Sequence, residues 1–290
     1  MQQKSSVSDV PTQQRQLHDL PPALPVADLL GKDPGHGFAV FLDYDGTLTP
    51  IVDDPDDALL SEPMRTAISQ LADVALVAIV SGRDLEDVRA KVGIDGLAYA
   101  GSHGFDIRHP DGSSEQVAVE ALEHLDAAED ALAERVGAID GARIERKRFA
   151  IAVHDRGVDD TAARERLAEI VADVGRAHEG LRSTGGKRIH ELRPDIDWDK
   201  GRAIETLIEA LDAGDHLPIY VGDDLTDEDG FRAVTAHDGV GVVVRGEGDD
   251  RATLAAAALE SPEHTEQLLT ELADLARRGA HDRHDDEVGS

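Results

Sequence analysis

Cysteine is absent from the 290-residue chain, which excludes disulfides and thiolate metal sites. No apolar stretch reaches the roughly 20 residues that span a bilayer, and the polar, Gln-rich start shows no cleavable signal pattern. A cytoplasmic location is therefore expected. Lysine is scarce, limited to Lys4, Lys32, Lys91, Lys147, Lys187 and Lys200. Positive charge as a whole is outnumbered, 29 basic residues against 60 acidic ones, for a net charge of −31. A surface this negative repels nucleic acid and anionic membrane, so neither is expected as a partner. The length suits one large domain or two unequal ones with a sizeable core.

What is present centres on the stretch Phe41 to Pro50, FLDYDGTLTP. Gly37 to Leu42 is a short apolar run of the kind that makes a strand buried on both faces. It ends in Asp43 and Asp45, followed by Gly46 and Thr47. Residues i and i+2 of an extended chain point to one side, so both carboxylates can face one small volume. Two acids there repel unless a cation sits between them, which suggests a Mg²⁺ site containing a nucleophilic carboxylate. A solvated acidic turn is the plainer alternative in so acidic a chain. A calcium loop fails on spacing, because the sixth position from Asp43 is Leu48 rather than glycine.

Further apolar runs end in polar motifs. Val74 to Val80 leads into Ser81-Gly82-Arg83, where a hydroxyl, a glycine and a cation suit a phosphate, although Ser81 also reads as a helix N-cap. Leu97 to Ala100 leads into Gly101-Ser102-His103-Gly104, where His103 is either a ligand contact or a turn residue. Lys200 opens an amphipathic helix after Trp198, and Leu217 to Val221 ends at Asp223-Asp224-Leu225-Thr226-Asp227. Strand–helix alternation with motifs at strand ends predicts an α/β fold, a doubly wound (Rossmann-like) parallel-sheet core that binds ligands outside the carboxyl ends of its strands.

Between these halves the pattern changes to a helix and two strands, then the same again. That predicts an inserted αββαββ cap domain at residues 107–192, with the core at 29–106 and 193–278. Residues 1–28 read as a disordered arm and 279–290 as a disordered tail. A further helix is expected near Arg251.

The order and spacing of Asp43-Tyr44-Asp45-Gly46-Thr47, Ser81, Lys200 and Asp223-Asp224 resemble the haloacid-dehalogenase superfamily of phosphotransferases. The resemblance implies Asp43 as the nucleophile and Asp45 as the general acid, then base. It implies Mg²⁺ held by Asp43, the Asp45 carbonyl and Asp223, with Asp224 and Asp227 orienting its waters. Ser81 and Lys200 would bind phosphate oxygens.

A narrower resemblance is to the trehalose-6-phosphate phosphatase family, carried by LDYDGTLTPI, VSGR, GSHG, Glu145-x-Lys147, Lys187-x-x-x-Glu191-Leu-Arg-Pro, WDKG and GDDLTDEDGF. It implies that Glu145, Lys147, Lys187 and Glu191 contact sugar hydroxyls, with Thr47, Arg83, His103 and Arg156 as further substrate contacts. Asp155 stands where the family has an aromatic, a departure that bears on Arg156. The implied activity is hydrolysis of trehalose 6-phosphate, with trehalose-6-phosphate synthase as a candidate associate. Sucrose 6-phosphate or mannosyl-phosphoglycerate phosphatase, a phosphohexomutase and a non-catalytic sugar-phosphate binder are the alternatives.

Abundant carboxylates with scarce lysine fit a salt-rich cytoplasm, where ions screen self-repulsion; a nucleotide bias replacing Lys by Arg gives the same pattern. Salt adaptation predicts a melting temperature that rises with KCl. Highest stability in dilute buffer would contradict it.

Overall fold

The apolar run that ends at Asp43 forms a strand, β1 (Phe38–Leu42), buried along its whole length. The computed structural model describes residues 14–30, 37–52, 54–186, 188–246 and 248–288. The chain divides into two units, Met1–Val77 with Ile208–Ser290, and Ala78–Leu207.

In chain order β1 is followed by α1 (Glu62–Ala72), whose N-cap Ser61 accepts from the Met64 amide at 3.2 Å. Next come β2 (Leu76–Val80), α2 (Leu85–Val92) and β3 (Ala98–Gly101). The middle of the chain supplies α3 (Leu122–Val136), β4 (Arg143–Lys147), β5 (Ala150–His154), α4 (Thr161–Ala177), β6 (Leu181–Gly186) and β7 (Ile189–Pro194). Then follow α5 (Lys200–Ala210), β8 (Leu217–Gly222), α6 (Glu228–Ala236), β9 (Val240–Val244), β10 (Ala257–Leu259) and α7 (Pro262–Val288).

In the first unit β10, β9, β8 and β1 lie side by side and are all parallel. Their near-continuous apolar sequences are those of strands covered on both faces. Phe41 pairs with Tyr220 and Leu42 with Val221, so β1 and β8 end level with each other. That register fixes where the acids after each strand emerge.

In the second unit β2 and β3 are parallel, and short antiparallel strands Asp106–Arg108 and Ser114–Gln116 extend from β3. A separate antiparallel sheet has the order β4-β5-β7-β6, and with α3 and α4 it gives the αββαββ succession expected from the sequence. Period-2 alternation assigns its faces. Ile144, Ile151, Val153 and Leu192 join Leu125, Leu132, Leu167 and Val171 of the two helices in one apolar cluster. Glu145, Ala152 and Glu191 are cross-strand partners in one row, and therefore share the opposite face. Ala152 and Ala150 keep that face shallow between the charged side chains.

Three expectations need correction. The described part of the expected arm, residues 14–28, is ordered: Arg15–Gln16 is a short strand, the helical turn Val26–Leu30 begins within it, and Leu17, Leu20, Ala23 and Val26 are buried. The stretch near Arg251 is not helical; Ala252–Thr253 is a strand that pairs with Arg15–Gln16. The C-terminal helix does not stop near residue 278, since α7 continues to Val288. Ahead of α3, the chain runs through the strand Ser114–Gln116 and a 3-10 turn at Val119–Ala121. Among the described residues no helix is long and apolar enough to cross a membrane.

Candidate active site

Asp43 follows β1 directly and is only 5% exposed. Its amide donates to the Val221 carbonyl at 2.9 Å, which extends the β1–β8 pairing one residue into the loop. Carboxylate oxygens of Asp43, Asp223 and Asp227 all lie within 4.8 Å of one another. The tight turn after Asp43 is held by the Leu48 and Thr49 amides, which both donate to the Tyr44 carbonyl, at 2.9 and 3.2 Å. Gly46 sits in the left-handed region at φ 75°, and a Cβ there would lie 2.1 Å from Asp223 Oδ2. Only glycine lets this turn approach the Asp223 carboxylate.

The three acids are not equivalent. Asp227 is fully buried, and its Oδ2 accepts from the amides of Asp223 and Asp224, both at 2.8 Å. Its Oδ1 accepts from the Tyr220 hydroxyl at 2.5 Å. Burial first, then the charges of Asp227, Asp43 and Asp223, push the Tyr220 phenol well above its ordinary value, so it stays a donor. Asp227 therefore shapes the loop, while Asp43 and Asp223 are the carboxylates best placed to take a cation. An all-oxygen donor set of this kind fits a hard divalent ion. Asp224 is exposed and accepts from the Leu225 amide as a helix cap. Asp45 is half-buried on the turn, and Thr47 Oγ1 is buried without a hydrogen-bond partner.

In the second unit the loops after β2 and β3 are knitted together. Ser81 is buried; its amide donates to the Ala100 carbonyl at 2.8 Å and its carbonyl accepts from the His103 amide at 2.9 Å. Ser81 Oγ accepts from the Arg83 amide at 3.2 Å, and Arg83 pairs with Asp87 at 2.9 Å. Ser102 and His103 both have positive φ, an uncommon backbone for non-glycine residues. The His103 ring lies over Gly82, where a Cβ would come within 2.7 Å of it.

That ring meets the charged face of the β4-β5-β7-β6 sheet. Glu191 lies 3.8 Å from His103 Nε2 and accepts from Lys147 Nζ at 3.1 Å. Burial pushes the Glu191 carboxyl up, but His103 and the Lys147 ammonium together hold it well below the usual range. Burial pushes His103 down, against the pull of Glu191, and Lys200 and Lys147 add to the lowering, so the ring is neutral near pH 7. Burial opposes the charge on Lys147, but Glu191 and Glu145 raise it above its ordinary value. Glu145 is lowered chiefly by its 2.7 Å contact with His154. Lys200 is buried at the start of α5.

Among the sequence-predicted residues, Asp43, Asp223 and Asp227 come together in one unit, and His103, Lys147 and Glu191 in the other. Arg156 is exposed on the turn after β5, and Lys187 lies outside the described residues. The Asp155 departure has a local account: its buried carboxylate pairs with Arg188 at 3.3 Å and faces His190 at 3.8 Å. Two further residues escaped the sequence reading. His154 partners Glu145, and Asp84 accepts both from the Ser102 hydroxyl at 2.9 Å and from the Arg148 amide at 2.8 Å. An Asp just before a helix gives the same signal as an ordinary N-cap, which hid the second.

The family described as trehalose-phosphatase matches residues 41–263, a span that holds every described residue of both groups. The chain belongs to the trehalose-phosphatase family. It is a phosphatase, and a trehalose-phosphate phosphatase of Mycobacterium marinum is 46% identical over 276 residues, 90% of this chain and 69% of that protein. The C-terminal domain of a C. albicans trehalose-6-phosphate phosphatase superposes with a TM-score of 0.73 at 24% identity, covering 88% of this chain and 98% of that one. A trehalose-6-phosphate phosphatase related protein gives 0.71 at 26% identity, over 83% of this chain and 99% of that one. The α/β fold with its mostly parallel sheet is the one expected from the sequence.

The pairing of Glu191 with Lys147 sets a pH dependence. Its folded-state carboxyl lies below the unfolded value of about 4.3, so its stabilisation is whole above that pH and is lost as pH falls through the folded value. Glu191→Gln should cost about 2 kcal/mol at pH 7, and the gap to wild type should narrow by about pH 3.5. Urea unfolding at both pH values checks this; a gap that is constant or wider in acid contradicts it.

Proposed function

We propose that this phosphatase hydrolyses trehalose 6-phosphate to trehalose and inorganic phosphate, with Mg²⁺ as its ion and an aspartyl-phosphate as its intermediate. The observation that carries the reading is the grouping of Asp43 with Asp223 at the level ends of two paired parallel strands. The trehalose-phosphate names of the 46%-identical relatives support the substrate.

In this reading Asp43 attacks phosphorus, and the ester P–O bond breaks as the new P–O bond to the carboxylate forms. Asp45 gives its proton to the departing sugar oxygen, then takes one from water as that water attacks the aspartyl-phosphate. Phosphate leaves and Asp43 is regenerated. Asp43, Asp223 and the Asp45 carbonyl would hold the Mg²⁺, which offsets negative charge on phosphate and nucleophile. Ser81 and Lys200 bind phosphoryl oxygens as charge spreads over them. Glu145, Lys147, Lys187 and Glu191 bind the disaccharide hydroxyls, each of which both donates and accepts. Thr47, Arg83, His103 and Arg156 complete the substrate contacts. The enzyme works in the cytoplasm and takes its substrate from a trehalose-6-phosphate synthase.

Phosphate release across a panel of sugar phosphates tests the reading. Trehalose 6-phosphate should exceed sucrose 6-phosphate and mannosyl-phosphoglycerate by at least about tenfold in kcat/KM, about 1.4 kcal/mol of transition-state binding. Asp43→Asn should lower kcat by more than about 1,000-fold while the protein still folds. Preference for another substrate, or near-normal turnover by the variant, overturns the corresponding part.

A further inference from the structure

The segment ahead of β1 is tied to a loop that ends on the main chain of Asp223. Arg15 pairs with Thr253 and Gln16 with Ala252 in a short antiparallel ladder. The Leu17 amide donates to the Arg251 carbonyl at 2.9 Å, and Leu17 itself is fully buried. Arg245 Nη2 donates to the carbonyls of Leu17 and Leu20, both at 3.1 Å. His18 meets Asp250 at 2.7 Å. The segment thus holds the loop around Arg251 from several sides.

Arg251 points inward from that loop. Its Nη2 donates to the Asp223 carbonyl at 2.9 Å, and its Nη1 pairs with Glu228. Both side chains of this pair are largely buried, 15% and 12% exposed. The other oxygen of Glu228 accepts from the Leu254 amide at 2.7 Å, so the loop is locked from its own backbone as well. Glu228 opens α6 immediately after Asp227, whose carboxylate takes the Asp223 amide. The peptide groups on both sides of Asp223 are therefore fixed, the amide by Asp227 and the carbonyl by Arg251.

We infer that Arg251 is a positioning residue for the Asp223 carboxylate, and that the segment Arg15–Leu20 acts as a strap that holds Arg251 in place. The inference rests on the metal reading of Asp43 and Asp223 made above. A planar guanidinium reaches a carboxylate and a carbonyl at once, which a single ammonium does not do in the same fixed geometry. Groups that orient a metal ligand change metal affinity by about 10- to 100-fold when removed. Fold stability alone would not produce that change.

The test is Mn²⁺ binding to the full chain without substrate, read by paramagnetic resonance, with melting followed alongside. Arg251→Ala should weaken Mn²⁺ by about tenfold. Arg251→Lys should weaken it in the same direction, and it serves as the test if the alanine variant does not fold. Arg245→Gln, which loosens the strap, should give a smaller shift of the same sign. Arg232→Ala removes the exposed pair with Asp229 on α6 and should bind Mn²⁺ as wild type does. Melting lowered in both Arg251 variants with Mn²⁺ affinity unchanged makes the role merely structural and overturns the inference. Binding that depends on Asp223 but not on Arg251 overturns it while leaving the metal reading intact. Wild-type protein that takes no Mn²⁺, or an Asp223→Asn variant that binds as tightly, overturns both.

Discussion

Two carboxylates held close together with little water around them repel, and the fold of the first unit imposes that arrangement. Asp43 and Asp223 leave neighbouring parallel strands at the same level, and the strands cannot slip without moving an entire apolar set out of register. The energy of bringing the acids together comes from burying Phe38 to Leu42 and Ile219 to Val221. What keeps the acids from relaxing apart is also visible. Gly46 admits the approach of one turn to the other, and Asp227 takes two successive amides of the second loop. A cation between them would offset that repulsion.

The charged face of the small antiparallel sheet obeys a different rule. There the carboxylates of Glu145 and Glu191 come with their own partners, His154 and Lys147. Charges of alternating sign are set here on strands backed by an apolar face. His103, neutral through burial, brings a hydrogen-bonding group to this face without adding charge.

Much of this was legible because the signals are local. The run before Asp43, the run before Asp223 and each element of the helix–strand–strand succession declare themselves within about ten to twenty residues through period and composition. The N-terminal segment gave no such signal. Leu17, Leu20, Ala23 and Val26 recur every third residue among prolines, a spacing that belongs to neither helix nor strand. The ladder partner of the preceding Arg15–Gln16, Ala252–Thr253, lies far along the chain. Arg251 was hidden for the same reason, since an arginine in an acidic loop reads as solvated until its contact with the Asp223 carbonyl is seen. Asp155 departs from the family's aromatic, and its pairing with Arg188 joins two turns that no sequence pattern connects.

The central claim, that strand register forces two acids to share one divalent ion, is tested most directly by diffraction from crystals grown with Mn²⁺ and collected at an anomalous wavelength. The account predicts one peak within about 2.3 Å of oxygens from both Asp43 and Asp223. A peak elsewhere, or an ion-free site with the two carboxylates turned away from each other, would contradict it.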